Sequence, residues 1–341
     1  TAGFHPAKRG SIPLGTAKSN LAKMYKIGII QNIHKEGIEL LNRNKNFEYE
    51  IIDDVSEENI IKKIHLYDGV CLRTSKLTNK TLAKASKLKV ISRHGVGYDN
   101  VDTNFLKKNN ITLLITATSN ATAVAEHVFY LMLIISKNYL NLDNEVRSGN
   151  FKDNINKYQT FELNNKEILI AGFGRIGKNL IKKCNGFDMN VKVFDPFVDN
   201  KIIENLGGQK VENFDSAIRT ADFISLHMPL NKDTKDLINF KKMQTMKKNA
   251  VILNTARGGI INEKDLNKAL NEGVILAAGL DVFVNEPIDK DSPLLKNKKI
   301  VFSPHTAALT NECKIRMAKE TTQNIIDFFE DNLNKSMIVK I

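Results

Sequence analysis

From residue 25 onward, short apolar runs alternate with amphipathic stretches, the pattern of parallel strands joined by crossover helices. The first set of runs predicts strands over 25–30, 49–53, 69–73, 89–93 and 111–116, enough for a small doubly wound unit. Residues 120–140 then place Ala121, Val124, Val128, Leu131 and Ile135 on nearly one helical face, which predicts one long helix bridging to a second unit. The second set predicts strands over 168–171, 191–195, 221–227, 250–256, 275–282 and 299–305, the complement of a complete Rossmann sheet. Residues 311–332 read as helix again, with too little chain left for a third unit, and are expected to pack back on the first. The predicted fold class is therefore α/β with two doubly wound parallel-sheet domains. A Rossmann domain over 119–308 is inserted in a flavodoxin-like domain formed by 24–118 and 309–341.

A chain of 341 residues fits two domains, and 42% hydrophobic with 26% charged residues is an ordinary globular balance. No apolar run is long enough to span a bilayer; the longest, 128–135, reads as buried helix. Cys71, Cys184 and Cys313 have no paired spacing, so neither a disulfide framework nor a zinc site is expected, and a reducing cytoplasm fits. The net charge of +12 is spread over lysines such as Lys62, Lys63, Lys80, Lys84 and Lys87, which reads as solvated surface. With no Trp and no run alternating basic with aromatic residues, nucleic acid is not an expected partner, whereas small acids are. Residues 1–23 contain no acid and read as a flexible extension.

The predicted strand 168–171 runs straight into Gly172, Phe173, Gly174, Arg175, Ile176 and Gly177 and then into helix, the strand-turn-helix setting that the G-x-G-x-x-G pattern requires. Its glycines permit a tight turn and close approach of a pyrophosphate, whose charge sits on the positive end of the helix. Asp195 follows 18 residues after Gly177, at the end of the next strand, where a carboxylate accepts both ribose hydroxyls and repels a 2′-phosphate. No cation stands among Pro196, Phe197 and Val198, so NAD is the expected cofactor rather than NADP.

Ligands of open parallel sheets gather at the carboxyl ends of strands. There the sequence stations His227, Thr255, Arg257, Asp281, Glu286 and His305. An arginine clamps a carboxylate and polarises a neighbouring carbonyl. Hydride transfer to a ketone needs a proton donor at the nascent alkoxide, and a histidine oriented by a carboxylate supplies one. Arg257, Glu286 and His305 are thus the expected catalytic residues, with His227, Thr255 and Asp281 on the cofactor side. His5, His34, His65 and His127 read as structural, and His94 as stabilising a loop.

These residues carry a resemblance to the D-isomer-specific 2-hydroxyacid dehydrogenases, and within them to the D-3-phosphoglycerate dehydrogenases. Segment 92–102, Ser-Arg-His-Gly-Val-Gly-Tyr-Asp-Asn-Val-Asp, resembles the family's substrate loop. The resemblance implies that backbone amides near Val96 and Gly97 hold the substrate carboxylate. Segment 120–126 is similar to the opening of the interdomain helix, and 254–259 to the segment bearing the catalytic arginine. Segment 278–287 is similar to the stretch whose Asp, here Asp281, meets the nicotinamide end and whose Glu, here Glu286, pairs with the histidine of 303–305. Segment 72–76, Leu-Arg-Thr-Ser-Lys, resembles the part of the phosphoglycerate subfamily that meets a substrate phosphate, which implies roles for Arg73 and Lys76, with Lys137 as a third charge.

The expected function is an NAD-dependent interconversion of a small, anionic D-2-hydroxy acid with its 2-oxo acid, by a homodimer built through the nucleotide domain. A glyoxylate or hydroxypyruvate reductase is the alternative, and a dinucleotide-sensing corepressor is the alternative of another class. The chain departs from the pattern after His305, where Thr-Ala-Ala-Leu-Thr replaces a stretch often rich in glycine. The resemblance stops short of the regulatory C-terminal domain many such enzymes carry, so feedback by serine through it is not expected.

Overall fold

The structure, a computed structural model, describes residues 23–151 and 155–341. Except for Lys23, the extension expected over 1–23 lies outside the described residues.

The first sheet contains β1 (Tyr25–Ile30), β2 (Phe47–Ile52), β3 (Gly69–Leu72), β4 (Val90–Arg93) and β5 (Thr112–Ile115). Its strands are parallel in the order β2-β1-β3-β4-β5, which is flavodoxin-like. The second holds β6 (Glu167–Ala171), β7 (Asn190–Phe194), β8 (Gln209–Lys210), β9 (Phe223–Leu226), β10 (Val251–Asn254), β11 (Ala277–Leu280) and β12 (Ile300–Phe302). Here the order is β12-β11-β10-β9-β6-β7-β8, again all parallel, and the direction of winding reverses between β6 and β9 as in a Rossmann sheet. Strands β3, β9, β10 and β11 are buried along their whole length, because helices cover both faces of each sheet.

Two expectations need correction. The second sheet has seven strands rather than six: β8 is a two-residue edge strand, and Gln209–Lys210 has no apolar run to announce it. The bridging helix spans Ala121–Ser136 and stops there instead of continuing to residue 140. Lys137 caps it, Asn138 takes a left-handed conformation with φ 50°, and a new helix starts at Tyr139. Asparagine tolerates that conformation better than most residues, and apolar periodicity does not register it.

The C-terminal helix, Asn311–Phe329, packs on the helix Lys35–Arg43 and across β3 and β4, and Phe329 stacks on Tyr25 with ring centroids 4.0 Å apart. It also fastens the first crossing between the sheets. Asn324 donates to the Ile115 carbonyl (3.2 Å), Thr118 Oγ1 donates to Glu320 (2.8 Å), and Arg316 Nε donates to the Ser119 carbonyl (3.1 Å). The second crossing, 303–310, returns the chain from β12 to this helix.

Candidate active site

At the end of β6 the backbone turns through Gly172 with φ 97°, and a Cβ there would lie 2.7 Å from the His227 carbonyl oxygen. Both facts restrict the position to glycine. The helix Arg175–Asn185 starts immediately afterwards with Gly174 as its cap and no side chain on its first amides. Around Gly174 a Cβ would find nothing within 4 Å, so space is open in front of those amides, and Arg175 is exposed with Ile176 half-buried beside it. Gly177 is buried where this helix meets its strand. Asp195, just past β7, accepts from Phe173 N (2.7 Å) with one oxygen and from Phe197 N (2.9 Å) with the other. Each oxygen keeps a lone pair for a ribose hydroxyl.

Farther along the crevice, His227 and Thr255 end the neighbouring strands β9 and β10. His227 Nε2 pairs with Ser225 Oγ at 2.8 Å, while its Nδ1 and the Thr255 hydroxyl are buried with no partner among the described residues. Burial pushes the His227 imidazole down to about 4, so it is neutral at ordinary pH. Two orphaned polar atoms, together with the open space before the Gly174 helix amides and the Asp195 oxygens, are what a dinucleotide's polar groups require. The residues present therefore fit NAD.

The three expected catalytic residues come together. His305 stands in a left-handed conformation (φ 53°), and its Nδ1–H donates to Glu286 Oε2 at 2.6 Å. The other Glu286 oxygen accepts from Phe283 N at 3.0 Å. Burial raises the Glu286 carboxyl, but the hydrogen bonds from His305 and Phe283 and the charges of His305 and Arg257 outweigh it and hold the group below the ordinary glutamate value. It is an ionised partner that leaves His305 Nε2 pointing elsewhere.

Arg257 reaches from the second sheet to the first. Its Nε donates to Asp99 at 2.8 Å and Nη1 donates to the Ala256 carbonyl at 2.6 Å. Nη2 lies over Gly97, where a Cβ would be only 1.2 Å away, so any side chain at 97 would displace the guanidinium. Among the described residues, neither the Val96 nor the Gly97 amide donates to a protein acceptor.

Cations surround this loop. Arg93 is pinned by Asn100, Leu72 and His94 oxygens, and burial together with the charge of Arg257 brings it down to about 10. Burial plus Arg73 and Arg93 drives His94 down to about 4. Arg73 donates to the Asn32 carbonyl at 2.8 Å and burial lowers it as well. Such mutual repulsion around a half-buried loop favours an anion there.

Not every expected cation joins the cluster. Lys76 is exposed and contributes to no shifted group nearby. Lys137 donates to the Phe161 carbonyl at 3.0 Å, at the far end of a helix about 24 Å long that starts at the first crossing, so it is not a distal-anion ligand in this fold. Asp281 is fully buried and accepts from Ser303 Oγ (2.6 Å), Thr306 N (2.8 Å) and Ala307 N (3.1 Å). The departure from the glycine-rich pattern after His305 thus still anchors the loop through its amides. Sequence reasoning missed Asp99, Asn100 and Gln31. Asn100 staples the loop to the Arg73 and Ser75 carbonyls (3.2 and 2.7 Å), and Gln31 accepts from Thr74 N and Oγ1. Asp99 and Asn100 were visible inside the 92–102 segment, while Gln31 carried no signal.

Comparison with known proteins identifies the family. Residues 129–307 match the model of the D-isomer specific 2-hydroxyacid dehydrogenase NAD-binding domain. A D-3-phosphoglycerate dehydrogenase of Methanocaldococcus jannaschii is 35% identical over 292 residues, 85% of this chain and 55% of that protein. This chain thus spans about half the length of that relative. A glyoxylate reductase of Thermococcus litoralis is 33% identical over 324 residues, 92% of this chain and 97% of that protein. Among solved structures, D-lactate dehydrogenase from Aquifex aeolicus, complexed with NAD and lactic acid, superposes with a TM-score of 0.81 at 25% identity, covering 92% of this chain and 98% of that one. The chain belongs to the D-isomer-specific 2-hydroxyacid dehydrogenase family, and its seven-stranded sheet forms that family's NAD-binding domain.

Proposed function

We propose that this protein reduces a small 2-oxo acid to the D-2-hydroxy acid with NADH, or runs the reverse, and that its substrate carries a second anion as phosphohydroxypyruvate does. The observation that carries this reading is the joint placement of Arg257, Glu286 and His305 at strand ends of the NAD-binding sheet, with Arg257 reaching Asp99 in the loop that Arg93 and Asn100 hold. In this division of labour residues 119–308 bind the cofactor, and 24–118 with 309–341 bind the acid.

The free amides of Val96 and Gly97 accept the substrate carboxylate, and Arg257 Nη2 both clamps it and polarises the 2-oxo group. Bound NADH supplies the hydride to carbon 2. His305, charged and donating Nδ1–H to Glu286, gives its Nε2 proton to the developing alkoxide, and Glu286 stabilises the imidazolium beforehand. In balance, 2-oxo acid, NADH and one proton become hydroxy acid and NAD. Asp195 favours NAD over NADP by repelling a 2′-phosphate.

A second reading, a glyoxylate or hydroxypyruvate reductase, gains from the exposure of Lys76 and the remoteness of Lys137, which leave Arg73 as the distal cation of the three expected. NADH consumption measured with phosphohydroxypyruvate, hydroxypyruvate, glyoxylate, pyruvate and sulfopyruvate decides. Preference for the doubly anionic acids supports the first reading and preference for glyoxylate the second. NADH binding without turnover of any of them overturns both.

Exposed Tyr130, Tyr139, Leu140, Val146 and Phe151, on and after the bridging helix, support a homodimer formed through the NAD-binding domain. Light scattering at micromolar concentration tests it, and a monomer would refute it. The buried, unpaired Cys71, Cys184 and Cys313 suit a reducing cytoplasm.

A further inference from the structure

Behind the His305 loop lies a chain of three side chains from three separate elements. Ser303 Oγ is 2.6 Å from Asp281 Oδ1 and 2.7 Å from Nε2 of His127, which belongs to the bridging helix. Proton placement is decided by the hydroxyl's single hydrogen. Ser303 donates it to the carboxylate and must accept from His127, so His127 carries its proton on Nε2. Asp281 also accepts Thr306 N and Ala307 N, and its carbonyl accepts His305 N at 2.8 Å. The backbone that sets the left-handed conformation of His305 is therefore wrapped around the Asp281 carboxylate, and His127 is the outermost donor of that knot. His127 also packs its ring against Tyr130 at 5.5 Å. Neither Ser303 nor His127 belongs to the Glu286 pair.

We propose that His127 is a positioning residue for the reaction: by donating to Ser303 it fixes the Asp281 carboxylate and, through it, the loop that presents His305 beside the cofactor. This rests on the dehydrogenase reading above. Without the His127 proton the Ser303 hydroxyl has a second acceptor position unsatisfied and is free to turn from Asp281. The carboxylate then loses one of three donors, and both the nicotinamide side and the His305 loop lose definition.

The test uses the full chain with His127→Phe, His127→Gln, Ser303→Ala and the double variant His127→Phe/Ser303→Ala. Phe keeps the ring against Tyr130 but lacks the donor; Gln places an N–H near the position of Nε2. Both kcat on the best 2-oxo acid and the NADH Kd by fluorescence are measured, with melting temperature recorded for each variant. We expect His127→Phe to lower kcat or weaken NADH about tenfold, the size of one hydrogen bond in a charged network. His127→Gln should recover most of that loss. The double variant should lose no more than either single one, because both break the same chain. Unchanged kcat and Kd in His127→Phe, a Gln variant no better than Phe, or additive losses in the double variant would each overturn the proposal. If the wild type binds NADH and turns over no 2-oxo acid, the dehydrogenase reading fails, and the NADH Kd values alone still decide the role of His127.

Discussion

Arg257 Nε donates to Asp99 Oδ2 at 2.8 Å, joining the NAD-binding sheet to the loop of the first sheet across 158 positions of sequence. Asp99 holds one edge of the guanidinium, the Ala256 carbonyl holds another, and Nη2 over Gly97 keeps both its hydrogens for an incoming carboxylate. The side chains are 31% and 64% exposed, so the pair adds at most about 1 kcal/mol to stability, and its effect is one of aim. Asp99→Ala should raise KM for the 2-oxo acid and lower kcat/KM by about tenfold with a nearly unchanged melting temperature. A fall in melting temperature with unaltered kinetics would contradict this.

His305→Ala removes the proton donor and leaves the cradle at Gly172–Gly177 intact, so kcat should fall ~100-fold or more while NADH binds as before. Stopped-flow turnover and NADH fluorescence titration separate the two effects. Near-normal kcat would remove His305 from the proton transfer.

How far the sequence spoke depended on whether a signal was local. Gly172, Gly174, Gly177 and Asp195 form one strand-turn-helix-strand unit, and the roles proposed for them follow from spacing alone. Glu286 and His305 were reachable because strand ends of a parallel sheet converge. Asp99 lay in plain view, yet its pairing with Arg257 depends on how two domains meet, which no local pattern encodes. Lys137 misled for the opposite reason: helical periodicity places it on a helix without saying which end faces the cleft. The break at Asn138 and the edge strand β8 alter no apolar repeat, so periodicity passed over both.

Stability should depend on pH through two histidines in desolvating surroundings. Both His94 and His227 titrate near 4 when folded, against about 6.5 when unfolded. Below pH ~6.5 the unfolded chain therefore binds protons that the folded chain refuses until about 4. Stability is full above that window, falls as pH drops through it, and levels off for these groups beneath it. Urea midpoints at pH 7, 6 and 5 should decline steadily, and His94→Gln should flatten the decline. A midpoint constant between pH 7 and 5 would show that these imidazoles charge freely in the native state.

Asp195→Ala should weaken NAD binding and narrow the preference over NADP, since the ribose loses an acceptor and a 2′-phosphate loses its repulsion. Its two backbone bonds, from Phe173 and Phe197, also define the turn, so Asp195→Asn is the cleaner probe. It removes the charge while keeping an acceptor, and should narrow the preference with a smaller loss of NAD affinity. Unchanged preference in both variants would take cofactor selection away from this residue.

Arg73 decides the distal end of the substrate. It is half-buried at the end of β3, bound to the Asn32 carbonyl, and close enough to His94 and Arg93 to depress both. Burying a guanidinium beside another cation is costly unless an anion joins them, and among the described residues no carboxylate pairs with Arg73. A phosphate or sulfonate on carbon 3 of the substrate would do so by charge-assisted hydrogen bonds, each worth roughly 1.5 to 3 kcal/mol. Arg73→Ala should therefore raise KM for phosphohydroxypyruvate or sulfopyruvate by ~10-fold or more and leave KM for glyoxylate nearly unchanged. Lys76→Ala, which removes an exposed cation outside this field, should have the smaller effect on the same substrates. Equal losses on anionic and simple acids after Arg73→Ala would assign Arg73 to the loop or the common carboxylate site, and would favour the reading as a glyoxylate or hydroxypyruvate reductase.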